Sequence, residues 1–210
     1  GSTVVGNNMV KITADDGAYY DEFGYDIDLD GDTIVVGARL EDDASTDAGA
    51  AYIFVRDGDS WALEQKLVAN DGGGYDEAGY SVTISGDTVA VGVRKDDDMG
   101  TDTGSVYVYT RTGTTWTLED KITANDVTSY DYFGVDVDLE GDTLAIGAEE
   151  NDGQISNGGA VYVYTREAGT WSLEQKLYAS DPGTNDKFGH SISLSGDDLA
   201  VGAYLNDEKG

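Results

Sequence analysis

The stretch DIDLDGDTIVVGA, residues 26–38, admits two readings, and the choice between them decides the fold. Asp26, Asp28 and Asp30 followed by Gly31 have the spacing of the opening of a calcium loop. Ile27 and Leu29 alternate with those aspartates and Ile34, Val35 and Val36 follow, which is the period-two pattern of two strands about a tight turn. The twelfth position of a calcium loop opening at Asp26 is Gly37, where a bidentate glutamate is needed.

The same stretch recurs at a fixed step of 55 residues. Gly31-Asp32-Thr33 returns as Gly86-Asp87-Thr88, Gly141-Asp142-Thr143 and Gly196-Asp197-Asp198. Trp61, Trp116 and Trp171 keep the step, as do Phe23-Gly24, Ala78-Gly79, Phe133-Gly134 and Phe188-Gly189. Where the first unit has aspartates, the second has Ser81, Thr83 and Ser85, and the fourth has Ser191, Ser193 and Ser195. The carboxylates are exchangeable and the alternation is not, so the strand reading wins.

The units run 11–65, 66–120 and 121–175, with a partial fourth over 176–210. In the first, strands are expected over Gly24–Asp30, Thr33–Arg39, Ala50–Arg56 and Trp61–Ala69 (A to D), with turns at Asp30-Gly31 and Asp57-Gly58. The third strand, AAYIFV (residues 50–55), is apolar on both faces, as in a sheet packed between sheets. Four short antiparallel strands per repeat predict an all-β fold, a β-propeller of four-stranded blades. Met9 to Ile12 fall in register with Glu64 to Leu67, the D strand, and Thr3 to Val5 could be a shortened C strand. Residues 1–10 are therefore expected to complete the fourth blade and close a single four-bladed domain over 1–210. Pairing with a neighbouring copy, to give a dimer or filament, and a fragment of a larger ring are the alternatives.

Composition narrows function. Against 42 acidic residues stand 12 basic ones, a formal charge of -30. That surface repels phosphate backbones and anionic lipid, and no apolar run approaches membrane-spanning length, so neither nucleic acid nor membrane insertion is expected. With no cysteine and a single histidine, His190, thiolate and imidazole metal sites are excluded and no catalytic triad is expected. No pair of carboxylates stands out for glycoside hydrolysis either.

Phe-Gly, Val-Gly-Ala and Gly-Ala-Ala-Tyr-Ile-Phe (residues 23–24, 36–38 and 49–54) resemble the FG-GAP repeat, the unit of integrin α-subunit propellers, in its bacterial and archaeal variant. The resemblance recurs four times from Lys11 onward, with Ala78 in place of the second phenylalanine and no proline ending the motif. It implies a propeller, usually not an enzyme, acting in extracellular or cell-surface recognition or adhesion. The integrin-type calcium loop between strands A and B is collapsed here to the short turn Asp30-Gly31-Asp32.

Up-and-down strands put the D–A and B–C connections on one face. Asp16, Asp71, Asp126 and Asp181, with Asp21, Asp76, Asp131 and Asp186, fall in D–A connections, and Asp42, Asp97, Asp152 and Asp207 in B–C loops. Such hard oxygen ligands suit Ca2+ sites knitting each B–C loop to its neighbouring D–A loop. Asx-turn capping of loop amides and adaptation to high salt explain the same recurrence without a metal. Asp26, Asp28, Asp136 and Asp138 are expected near the central channel, where a cation could bridge them. Tyr20, Tyr75 and Tyr130 lie on the acidic face and suit contact with a protein or glycan ligand, whereas the tryptophans read as packing between blades. The functional expectation is a non-catalytic recognition, adhesion or assembly propeller with calcium-stabilised loops, the alternatives being a lectin-like propeller or a subunit that self-associates through its terminal strands.

Overall fold

The computed structural model describes residues 10–206, and no helix occurs among them. The first blade is β1 (Phe23–Asp30), β2 (Thr33–Ala38), β3 (Ala50–Asp57) and β4 (Ser60–Leu67). The second is β5 (Ala78–Ser85), β6 (Thr88–Val93), β7 (Ser105–Thr112) and β8 (Thr115–Ile122). The third is β9 (Phe133–Glu140), β10 (Thr143–Ala148), β11 (Ala160–Glu167) and β12 (Thr170–Leu177), and β13 (Phe188–Ser195) with β14 (Asp198–Ala203) begin a fourth. Each blade is antiparallel in sequence order, a β-propeller arrangement.

The hairpins follow from local chemistry. Asp30 pairs with Thr33 and Asp57 with Ser60, leaving two-residue turns that open on Gly31 (φ 57°) and Gly58 (φ 60°). The central strands TIVVGA and AAYIF are buried on both faces, because the second blade covers one face and Ile12, Ala14, Phe23, Trp61 and Val68 pack against the other. One core joins Val35, Ala51, Ile53 and Leu67 of the first blade to Val82, Ile84 and Val89 of the second, and another joins Ala90, Val106 and Val108 to Val137, Leu139 and Leu144 of the third.

The two glycine motifs are the two halves of the inter-blade junction. Gly79, at φ 80°, sits where the pairing of β5 with β6 slips, so the strand bulges toward the preceding blade. A Cβ on Gly37 of β2 would collide with the carbonyl oxygen of Gly79, and Gly92 and Gly147 meet Gly134 and Gly189 in the same way.

The ring expected from the two termini is not formed by the described residues. Thr3 to Val5 and Met9 lie outside them, and Val10, Lys11 and Ile12 belong to no strand. Among the described residues the fourth blade has two strands, and on β1 Ile27 and Leu29 are 59% and 54% exposed where their counterparts Val137 and Leu139 are buried.

Candidate functional site on the loop face

The D–A and B–C connections do meet, as the topology requires, and backbone hydrogen bonds knit them. The amides of Tyr75, Glu77 and Ala78 donate to the carbonyls of Thr46, Asp47 and Ala48 of the preceding blade at 2.7, 3.2 and 2.8 Å. Tyr130, Tyr132 and Phe133 repeat this onto Thr101, Asp102 and Thr103, and Asn185, Lys187 and Phe188 onto Ser156, Asn157 and Gly158. A short parallel bridge follows each time, Gly49 with Ala78 being the first.

A lysine gathers the first set of loop aspartates. Lys66 Nζ lies 2.8 Å from Asp16, 2.9 Å from Glu41 and 2.8 Å from Asp43, over the ring of Tyr52, whose hydroxyl donates to Asp16. Lys121 does the same with Asp71, Asp96 and Asp98 over Tyr107, whose hydroxyl bonds Asp71. In the third blade Lys176 holds Asp126 at 2.8 Å while Asn151 replaces the buried acid. The hydrogen bond from Lys66 depresses the Asp16 carboxyl, and that from Tyr107 depresses Asp71. Asp181 is exposed.

The second set is buried and turned onto its own loop. Asp21, Asp76, Asp131 and Asp186 accept from the amides of Ala18, Gly73, Thr128 and Gly183 at 2.6, 2.6, 2.9 and 2.7 Å. Burial pushes Asp76 up to about 6 despite the Gly73 amide, with Asp96 and Asp97 adding to it, and burial also raises Asp131. In the third set Asp42, Asp97 and Asp152 are exposed, Asp97 and Asp152 accepting from the amides of Asp102 and Asn157 at 2.7 Å, and Asp207 lies outside the described residues.

The arrangement fits a resident metal poorly. Ammonium groups and amides occupy many of the oxygens a cation would need, and among the described residues no group of three or more His, Cys, Asp or Glu side chains could hold a metal ion.

The strand-A acids reach sideways. Asp26, Asp28 and Asp30 accept from the amides of Val82, Ile84 and Gly86 on the next blade at 2.7, 2.7 and 2.6 Å. Asp136, Asp138 and Glu140 do so for Ile192, Leu194 and Gly196. Between the second and third blades Ser81 donates to the Gly134 carbonyl, and Thr83 and Ser85 accept from the amides of Leu139 and Gly141. Asp26 and Asp136 also border a cavity of about 210 Å³ at the mouth of the channel, with Tyr25, Tyr80, Ser81, Val135 and His190. Burial, then the charge of Asp26, pushes Asp136 up to about 7 against the pull of the Ile192 amide.

Charged and aromatic groups ring that mouth. Glu77, 5% exposed, is held by Arg39 at 3.2 Å, Arg94 at 2.8 Å and Lys95 at 2.6 Å, and Arg94 stacks over Tyr80 at 4.0 Å. On the far side His190 pairs with Glu149 at 2.7 Å and packs on Tyr204.

The FG-GAP repeat family model matches residues 7–54, 61–109, 116–164 and 171–210. This chain belongs to the FG-GAP repeat family. No curated protein matches it. Among solved structures it is similar to the crystal structure of the Saccharomyces cerevisiae Sqt1, at 12% identity and a TM-score of 0.48, over 77% of this chain and 37% of that one.

Within the FG-GAP frame, the mouth is one place where the four units differ. The position of Tyr25 holds Tyr80, Val135 and His190 in the later units, and that of Arg39 holds Arg94, Glu149 and Tyr204. Sequence reasoning missed these residues; the available signal was variation between units at positions flanking invariant glycines. It also missed Lys66, Lys121 and Lys176, noting only the register of Lys66, although a chain so poor in cations keeps them at one repeat position. The tyrosines it singled out are on the surface: Tyr20, Tyr75 and Tyr130 are 86%, 61% and 52% exposed, at φ 79°, 73° and 72°. Trp116 and Trp171 pack between blades, donating Nε1–H to Glu64 and Glu119 of the preceding blade, whereas Trp61 packs against its own blade's cluster beneath Arg56.

Proposed function

We propose that this protein is a non-catalytic, extracellular or cell-surface recognition module that binds its ligand on the loop face around the channel mouth. One observation carries the reading: the same surface position holds a tyrosine three times, each time in a left-handed conformation that costs a non-glycine residue about 1 kcal/mol. Exposed amphipathic rings, repeated at one position of the loop face, offer large contact area with a hydroxyl at the edge, which suits a ligand-binding surface. Membership of a family of propellers that are typically non-catalytic agrees with it.

Flat exposed rings on polar loops favour a glycan over an apolar protein patch, and this is the second reading. The fourth unit supplies the control, since Asn185 occupies the same position at φ 66° and asparagine tolerates that conformation. Replacing Tyr20, Tyr75 and Tyr130 by Asn should leave the melting temperature unchanged or raised and abolish binding to an immobilised panel of glycans and extracellular matrix proteins. Binding that survives the triple replacement would sink the proposal. Calcium stabilisation rests on the exposed carboxylates Asp42, Asp97 and Asp152 and on net charge, and the lysine-held acids weigh against it.

A further inference from the structure

We infer that the third blade carries, on the loop face, a pocket for a sugar carboxylate, the hexuronate unit of an acidic polysaccharide. A cavity of about 340 Å³ opens there among Asp126, Thr128, Asn151, Asp152, Lys176 and Tyr178. Its lysine belongs to the cluster that recurs in each blade, and the other two clusters show what that lysine takes. Lys66 holds Asp16, Glu41 and Asp43, and Lys121 holds Asp71, Asp96 and Asp98. Among the described residues Lys176 has one carboxylate, Asp126.

The two missing acids are replaced at their own repeat positions. Asn151 stands where the other blades have Glu41 and Asp96, and Gly153 where they have Asp43 and Asp98. Asn151 is committed to the loop, its Nδ2 donating to Asp131 at 2.7 Å and its Oδ1 accepting from the Gly153 amide at 3.1 Å. Two further substitutions fall on the same cavity: Thr128 replaces Ala18 and Gly73, and Tyr178 replaces Val68 and Thr123. A Cβ on Gly153 would collide with the Tyr178 hydroxyl, so no side chain at that loop position can refill the space. Four changes at separate points of the chain thus exchange two carboxylates for an amide, a hydroxyl and an aromatic ring around one lysine.

A hexuronate answers each of them. Its carboxylate takes the place beside Lys176 Nζ that Asp98 takes beside Lys121 at 2.5 Å. Its ring hydroxyls, donors as well as acceptors, bond the exposed Asp152 and the Thr128 hydroxyl, groups that an acidic peptide side chain would leave unused. Tyr178 supplies a flat amphipathic wall for the pyranose ring. Local charge permits the anion. The second blade gathers Asp71, Asp76, Asp96, Asp97 and Asp98 about its lysine, and the third has Asp126, Asp131 and Asp152 at the same positions, so one bound carboxylate leaves it the less negative of the two. The inference rests on the reading of the loop face as a ligand surface, but uses none of Tyr20, Tyr75 and Tyr130.

Sodium glucuronate should be titrated into the isotope-labelled protein and followed by NMR at about 0.15 M ionic strength, where repulsion beyond about 8 Å is screened. It should shift the amides of Thr128 and Gly153 saturably. Glucose, which lacks the carboxylate, and glutamate, which lacks the ring hydroxyls, should each bind about tenfold more weakly. Replacing Gly153→Asp together with Tyr178→Thr returns the second blade's residues to both positions, so this variant should keep or raise the melting temperature and lose the shifts. No saturable shift, equal binding of glucose or glutamate, or glucuronate binding that survives the double replacement would each overturn the inference. The triple tyrosine-to-asparagine variant should bind glucuronate as the native chain does, which separates failure of this pocket from failure of the tyrosine surface.

Discussion

Lys121 carries a single positive charge among three carboxylates, Asp71, Asp96 and Asp98, and Asp96 is 2% exposed. Removing one partner of a buried ionic group leaves the others uncompensated, which costs far more than the pair contributes when intact. Lys121→Met should therefore destabilise the protein by about 3 kcal/mol in urea unfolding. Arg56→Ala, which removes a pair with Asp32 between side chains 44% and 73% exposed, should cost no more than about 1 kcal/mol. Equal losses would show that the lysine cluster is only a surface pair. At this scale the loop acids were legible in the sequence as recurring, and their role was not. Asp16 is 50 residues from Lys66 and 36 from the hydroxyl of Tyr52, and only the closing of the blade brings the three together.

Strand A is the element whose behaviour departs most from its pattern. Its side chains alternate as expected and its ends fall within a residue of those read from the sequence. Neighbouring A strands, however, share no hydrogen-bonded ladder, so their inward amides need acceptors, and Asp, Ser and Thr of the preceding strand supply them. This consumes the carboxylates that were expected to line the channel. It also sets a pH dependence. Asp136 and Asp76, pushed up to about 7 and about 6, hold a proton more tightly folded than unfolded. Their contribution is complete below their ordinary value of 3.8 and is lost as pH rises through 6 to 7. Asp16 and Asp71 are depressed, so their contribution holds above 3.8 and is lost as pH falls below it. Melting temperature should accordingly be highest at mildly acid pH and fall toward pH 8. Asp136→Asn keeps an acceptor for the Ile192 amide and should flatten the alkaline side of that profile in calorimetry. An unchanged slope would mean that Asp136 is not the group titrating.

For the whole molecule, charge bears most on stability. A net charge of -30 on 210 residues repels itself, and salt relieves the repulsion by screening. Sodium chloride should raise the melting temperature, and calcium chloride at matched ionic strength should raise it no further. A calcium-specific rise below about 1 mM would assign metal sites to the exposed loop acids, since sites of that affinity bind only through organised oxygen ligands.

The sequence by itself determined the repeat, the strands, the short turns and the recurrence of the glycine motifs. Each is written locally or at a fixed period, and periodicity survives without knowledge of what faces what. Tertiary structure alone decided the partners of the acids. Whether an aspartate binds a metal, an amide or a lysine depends on which group the fold carries within 3 Å of it. In this chain that group lies on another strand or in the next blade, beyond the reach of any local pattern.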